Sequence, residues 1–396
     1  MTTLFQDDNF SFEFMRILGE SVYGGSDIKE CLLAASRIGD GDIESWHTAW
    51  IEIAERVHHV ADGCLAKGHR VSARDAYLRA SNYYRCAEFF LHMTIGQVDP
   101  RAMPAYEASV ACFRAAMPLL PFPAELVRIP YEGTTLPGYF YRVDGDARPR
   151  PTLIVHGGYD STGEEQYFST VVAAIERGYN CLSFEGPGQG GVIRCQNLPF
   201  RPDWEKVVSP VVDYALSRPE IDPARIALEG RSLGGYLAPR AAAFEHRLAA
   251  CIAVDGMYSF APRDTSPEDI AAATDEQIAQ VLDQMMAGSL NIRWAVSQGM
   301  WCMQPSSKRD LLVKMGQYTM EGIAGQISCP TLVCDAAEDF FFAGQARLLY
   351  DALSCSKTYL LFTAEEGAEE HCHEGAYRLH NQRIFDWLDE TLGWLG

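Results

Sequence analysis

Arg225-Ile226-Ala227-Leu228-Glu229-Gly230-Arg231-Ser232-Leu233-Gly234-Gly235-Tyr236-Leu237-Ala238 runs from a short apolar strand, through a serine flanked by glycines, into a helix. The helix continues into the alanine-rich run Ala241-Ala242-Ala243-Phe244. The central five residues match G-x-S-x-G, the pattern of a nucleophile elbow. Such a pentapeptide arises by chance in many chains. Its place between strand and helix is what makes it informative, because that geometry lifts a serine hydroxyl clear of a sheet edge. Glycine is needed on both sides because a side chain would clash in so tight a turn. Strand, turn and helix together predict an α/β fold with a mostly parallel sheet.

A serine needs a base, and the base needs an acid. Downstream, Pro330-Thr331-Leu332-Val333-Cys334-Asp335 reads as a late strand, followed by the polar loop Ala336-Ala337-Glu338-Asp339. Asp339 is the expected acid, because it lies several residues past the strand in a loop able to turn back. Glu338 is the near alternative, and Asp335 reads as a structural cap. After the last strand, Thr358-Tyr359-Leu360-Leu361-Phe362, the chain offers His371 and His373 as bases. The order Ser, Asp, His is that of α/β-hydrolases and differs from other serine-hydrolase folds. An oxyanion hole would use the backbone N–H of Leu233 and one from His156-Gly157-Gly158-Tyr159, which follows the strand Thr152-Leu153-Ile154-Val155. Tyr159 is the expected second donor, Gly158 the next choice, and His156 a turn residue.

Other signals point away from cofactors. Gly186-Pro187-Gly188-Gln189-Gly190-Gly191 fits G-x-G-x-x-G by letter, but it lies deep in the chain, contains proline and lacks a clear βαβ continuation. His371-Cys372-His373 and the pair His58-His59 have no metal-ligand spacing around them. No cofactor and no metal are expected. The formal net charge of −20 over 396 residues argues against nucleic acid and anionic membrane partners. The sequence shows no apolar run of membrane-spanning length and no signal-peptide pattern at its start. Twelve cysteines scattered without framework spacing read as reduced thiols of a cytoplasmic protein. Cys372 is the one marked for thiol reactivity.

The expected organisation is an N-terminal helical domain over 1–122 and an α/β core over 123–396, the core interrupted by a helical cap insertion at 257–326. Trp46, Trp50, Ile53 and Val57 are spaced for one helix face, and Pro121-Phe122-Pro123 marks the boundary. Within the insertion, Asp264 to Asp269 reads as a helix start. Met285, Trp294 and Trp301, with Tyr84 from the helical domain, are the expected apolar wall for a bulky substrate. Asp255 and Asp160 lie at strand ends, where capping explains them as well as a role at the site does.

The chain resembles the α/β-hydrolases related to 2,6-dihydroxypseudooxynicotine hydrolase and the fungal heptaketide chain-shortening hydrolase, with the bacterial fermentation-respiration switch protein more distant. The resemblance rests on Gly157-Gly158-Tyr159-Asp160-Ser161 with Glu164-Glu165, on Gly186-Pro187-Gly188-Gln189-Gly190, and on the elbow. It rests further on Glu338-Asp339-Phe340-Phe341, on Glu366-Gly367-Ala368 leading to His371-Cys372, and on the helical stretch Ser72 to Tyr84. It departs at Tyr159, where relatives often have leucine. The resemblance implies Ser232, Asp339 and His371 as the triad, with His371 preferred to His373. It also implies a small-molecule substrate and a homodimer. The implied reaction is cleavage of an acyl bond, C–C or ester, in an aromatic or polyketide-like molecule. Peptidase or acyltransferase chemistry at the same triad is the alternative, and a non-catalytic interaction protein is the remaining one.

Overall fold

The computed structural model describes residues 4–262 and 265–394, so Asp264 of the expected helix start lies outside the described residues. Two compact units emerge, one formed by 1–121 with 275–308, the other by 122–274 with 309–396.

The second unit carries an eight-stranded sheet in the order β1-β2-β4-β3-β5-β6-β7-β8. β1 (Ala124–Tyr131) and β2 (Thr134–Tyr141) form an antiparallel hairpin turning at Glu132 and Gly133, both with positive φ. β2 then pairs antiparallel with β4 (Asn180–Phe184). All remaining pairs are parallel, through β3 (Arg150–His156), β5 (Ile221–Arg231), β6 (Ala250–Val254), β7 (Thr331–Ala336) and β8 (Lys357–Phe362). β4 and β6 are buried at every residue, and β3 at all but its first. Such uniformly apolar strands belong to a parallel sheet covered on both faces. Helix Gly234–Ala242 packs on β5 and β6, and helix Gln345–Ala352 on β7 and β8. β5, β6 and β7 therefore end side by side, with the chain leaving β5 at Ser232, β6 at Asp255 and β7 toward Asp339.

The first unit is all helical. Helices Asp8–Gly19, Ile28–Ala35 and Ile43–Ala66 are each opened by an aspartate, Asp7, Asp27 and Asp42, whose carboxylate accepts a first-turn N–H. Trp46 and Trp50 lie in the third of these, and both are fully buried. Phe10 lies 4.6 Å from Trp46, and Tyr83 lies 5.5 Å from Trp50, ring centre to ring centre. The expected insertion at 257–326 is divided: helix Pro267–Ala272 stays with the sheet unit, while Asp275–Gly288 and Leu290–Cys302 pack with the N-terminal helices. Trp294 stacks on Phe89 at 5.4 Å, and Ser297 Oγ donates to the carbonyl of Met93 at 3.1 Å. No helix among the described residues is long and apolar enough to cross a membrane.

Candidate active site

Ser232 sits at the strand-to-helix turn with φ of 59°, a left-handed conformation that a non-glycine residue adopts only where its surroundings enforce it. The turn is pinned by Ser232 N–H donating to Val254 O at 3.1 Å. A Cβ on Gly230 would lie 2.2 Å from the carbonyl oxygen of Gly234, so no larger residue fits there. From this elbow the hydroxyl meets His371: Nε2 lies 2.9 Å from Ser232 Oγ. On the other side of the ring, Nδ1 lies 2.9 Å from Asp339 Oδ2. Asp339 is itself held by its second oxygen, Oδ1, which accepts the N–H groups of Phe341 at 2.8 Å and Phe342 at 3.0 Å. Those hydrogen bonds bring both phenyl rings edge-on to the imidazole, at 4.9 and 5.1 Å.

The competing residues fall elsewhere. Glu338 is exposed, and the Asp335 carboxylate accepts from the Tyr359 hydroxyl. His373 is buried with its Nδ1 2.8 Å from that of His380. Burial opposes a charge on His371, but Asp339, then Cys372, and hydrogen bonds to Asp255 and Asp339 outweigh it and hold its pKa well above the usual histidine value. Asp255, read from sequence as a strand-end residue, lies with Oδ2 3.0 Å from the same Nδ1.

The loop after β3 passes directly over the elbow. A Cβ on Gly158 would come within 2.6 Å of Leu233 N, so the backbones of the two expected oxyanion-hole segments are in contact. The Gly158 N–H is engaged by Ser161 Oγ at 3.2 Å, which makes it the poorer donor for a substrate. The Tyr159 ring packs between Phe200, at 6.3 Å, and Phe260, at 5.6 Å. His156 is fully buried between Phe184 and Trp204, and burial pushes its pKa down to about 4, which suits a packed turn residue.

The glycine-rich G-x-G-x-x-G stretch has a different use from its letter match. Gln189 reaches back to donate to the carbonyls of Gly157 at 2.7 Å and Gly158 at 3.3 Å, while its own carbonyl accepts Gly186 N–H at 2.9 Å. Beside it, Glu185 accepts the N–H groups of Gly163 and Gly191, both at 2.7 Å. The stretch is a brace for the loop over the elbow. Gln189 was not legible as a site residue, because it acts through partners far away in sequence. Asp255 was read as a strand-end residue for which capping and a role at the site were equal readings, and its contact with His371 favours the second.

Cys372, marked for reactivity, is buried, and burial pushes its thiol up to about 11, against thiolate formation. Of the twelve cysteines, Cys195 is the exposed one. Asp255, His371 and Cys372 form a grouping of potential metal ligands within 4.8 Å of one another. The His371 nitrogen in it already faces two carboxylates. Of the expected pocket-wall residues, Trp294, Trp301 and Tyr84 are engaged within the helical unit, with Trp301 stacked 3.9 Å from His92 and the Tyr84 hydroxyl 3.2 Å from His58 Nδ1. Met285 is exposed there.

Residues 152–361 match the model of the alpha/beta hydrolase family. The hydrolyase poxO of Penicillium oxalicum is 36% identical over 419 residues, covering 99% of each chain. The 20-hydroxy-prefusarin hydrolase FUS2 of Gibberella moniliformis is 36% identical over 417 residues, 99% of this chain and 98% of that one. Among solved structures, the 2,6-dihydroxy-pseudo-oxynicotine hydrolase has a TM-score of 0.75 at 24% identity, over 96% of this chain and 97% of that one, a likeness of fold.

Proposed function

The chain belongs to the alpha/beta hydrolase family and is a hydrolase, and from that premise we propose that it cleaves an acyl bond by serine catalysis. Ser232 is the nucleophile, His371 the base, and Asp339 the carboxylate that holds the imidazole. The observation that carries this is the unbroken line of two 2.9 Å contacts from Ser232 Oγ through His371 to Asp339, set behind a serine at φ 59°.

Ser232 Oγ attacks the substrate carbonyl carbon while its proton passes to His371 Nε2. The N–H groups of Leu233 and Tyr159 hold the resulting oxyanion. Collapse breaks the acyl bond, the leaving group takes the proton from His371, and an acyl-serine remains. Water then attacks that ester, giving its proton to His371, which returns it to Ser232 as the acid departs. For a C–C bond the leaving group is a carbanion, so it must be stabilised by an adjacent ring or second carbonyl before the proton arrives. The rings of Tyr159, Phe260, Phe341 and Phe342 form an apolar collar suited to a flat aromatic or polyketide-like acyl compound. A relative is named for 20-hydroxy-prefusarin hydrolysis, which agrees with a small-molecule substrate.

Intact-protein mass spectrometry tests this. Wild type incubated with a fluorophosphonate gains one phosphonyl mass, and Ser232→Ala gains none. On a panel of esters, thioesters and aryl diketones, turnover falls by roughly 10⁴-fold or more in Ser232→Ala. Turnover surviving in that variant would defeat the assignment, as would a wild type that stays unlabelled.

A further inference from the structure

Nδ1 of His371 has two carboxylate neighbours at nearly equal range, Asp339 Oδ2 at 2.9 Å and Asp255 Oδ2 at 3.0 Å. With Nε2 facing the serine, a neutral imidazole carries its one proton on Nδ1. One acceptor would fix that tautomer. A second buried carboxylate costs several kcal/mol, on the order of any buried ion, unless donors compensate it. At Asp255 they do.

The donors can be traced from Arg231. A guanidinium only donates, so His380 Nε2, 3.1 Å from Arg231 Nη1, accepts. Burial keeps His380 and His373 neutral, with His373 pushed down to about 4. A neutral His380 then carries its proton on Nδ1 and donates it to His373 Nδ1 at 2.8 Å. His373 is left with its proton on Nε2, facing Asp255 Oδ1 at 3.4 Å. The other oxygen, Oδ2, accepts the backbone N–H of Cys372. The buried chain Arg231–His380–His373 thus turns an N–H toward Asp255 at 3.4 Å, an electrostatic contact and not a hydrogen bond, since Oδ1 and Nε2 each lack a hydrogen-bond partner. The hydrogen-bonding compensation of the carboxylate falls to the Cys372 N–H and to His371 on Oδ2.

The backbone supports the same placement. Asp255, Cys372 and His373 all have positive φ, at 54°, 55° and 58°. Each such residue costs on the order of 1–3 kcal/mol and persists where the surroundings over-determine it. These three are the residues that bring the carboxylate and the histidine loop together.

We propose that Asp255 is a second positioning carboxylate of His371, sharing the Nδ1 proton with Asp339 and keeping the ring oriented when Asp339 is lost. It rests on the Ser232–His371 assignment above.

The consequence is a pH signature. His371 is faced by Ser232, by Asp339 beyond β7, by Asp255 beyond β6 and by its neighbour Cys372. Around Asp255 stand His373, Cys334 and Asp335, with Arg231 acting on the same cluster. The base must be neutral to accept the serine proton, so the rate rises with pH through the His371 pKa. Removing either anion lowers that pKa and moves the rise to lower pH.

The test is the rate of fluorophosphonate labelling of the full chain, followed by intact mass across roughly pH 5 to 9. Wild type, Asp255→Asn, Asp339→Asn, the double variant and Ser232→Ala are compared. Asparagine tolerates the left-handed backbone and still accepts the Cys372 N–H, so charge is removed with little else. Asp255→Asn is expected to shift the midpoint down by about one pH unit. Asp339→Asn is expected to label at least roughly tenfold faster than the double variant. A slower Asp255→Asn with the wild-type midpoint would mean a merely structural residue and overturn the proposal. So would equal rates for Asp339→Asn and the double variant, a comparison that holds even where Asp255→Asn alone melts early. Labelling that persists in Ser232→Ala would instead remove the nucleophile itself.

Discussion

Ser232 shows how much one backbone angle can carry. Its φ of 59° turns the hydroxyl out of the helix that follows and toward His371, and the glycines around it exist to leave that turn room. The residue across the turn, Gly158, is under the tightest constraint. A methyl there would meet Leu233 N at 2.6 Å and Arg231 O at 2.7 Å, both backbone atoms that cannot rotate away. Gly158→Ala is therefore expected to push the loop off the elbow and lower the fluorophosphonate labelling rate by about a hundredfold, the scale of a lost oxyanion donor. Gly145→Ala, with nothing within 4 Å of the new carbon, serves as the control and should label as wild type. Equal rates for the two variants would mean that the loop does not hold the oxyanion. Ser232 and the order of its partners were legible in sequence because they follow the ends of strands. Asp339 was preferred to Glu338 for its distance past the strand, and in the structure its side chain is the buried one while Glu338 is exposed. The pairing of Asp255 with His371 was illegible, since it depends on a strand end and a later loop, far apart in the chain, meeting in space.

At the scale of elements, the sheet was readable because parallel strands are apolar throughout. Thr331–Ala336 lies one residue downstream of the expected strand, and Lys357–Phe362 begins one residue before its expected start. β5 runs longer than its apolar core, from Ile221, because pairing of Arg150 with Ile221 extends the ladder through polar residues that carry no hydrophobic signal. The glycine-rich stretch after β4 was readable as an unconvincing G-x-G-x-x-G match but not as a brace. Its hydrogen bonds cross to a loop about thirty residues away, as Gln189 to Gly157 does. Gln189→Ala deletes the bonds to Gly157, Gly158 and Gly186 together. At about 1 kcal/mol net for each, the variant loses roughly 2–4 kcal/mol of stability yet folds. The freed loop is expected to lower kcat by roughly 10- to 100-fold, the cost of a misplaced reacting group, with little change in KM. A wild-type kcat with only a lowered melting temperature would mean that the brace is structural and nothing more.

For the whole molecule, the informative fact is that the helical unit is discontinuous in sequence. Helix amphipathicity shows that a segment has an apolar face, but hydrophobic burial has no direction and does not say which partner covers it. That is why 257–326 read as one insertion upon the core, whereas 275–308 cluster with 1–121. A chain beginning at Phe122 keeps Ser232, Asp339 and His371 but loses what covers helix Leu290–Cys302. Trp294 loses Phe89, Trp301 loses His92, and Ser297 loses the Met93 carbonyl. The buried Trp294 returns up to about 150–250 Å² to water, and the half-buried Trp301 less; apolar patches of a few hundred Å² drive association. The truncated chain is therefore expected to aggregate or to bind a hydrophobic dye strongly. Substituting Trp294 and Trp301 together by polar residues in the truncated chain should restore part of its solubility, as judged by size exclusion. A truncated chain that elutes as a monomer and labels at Ser232 like wild type would show that 275–308 finds its burial elsewhere, and the division into these two units would fall with it.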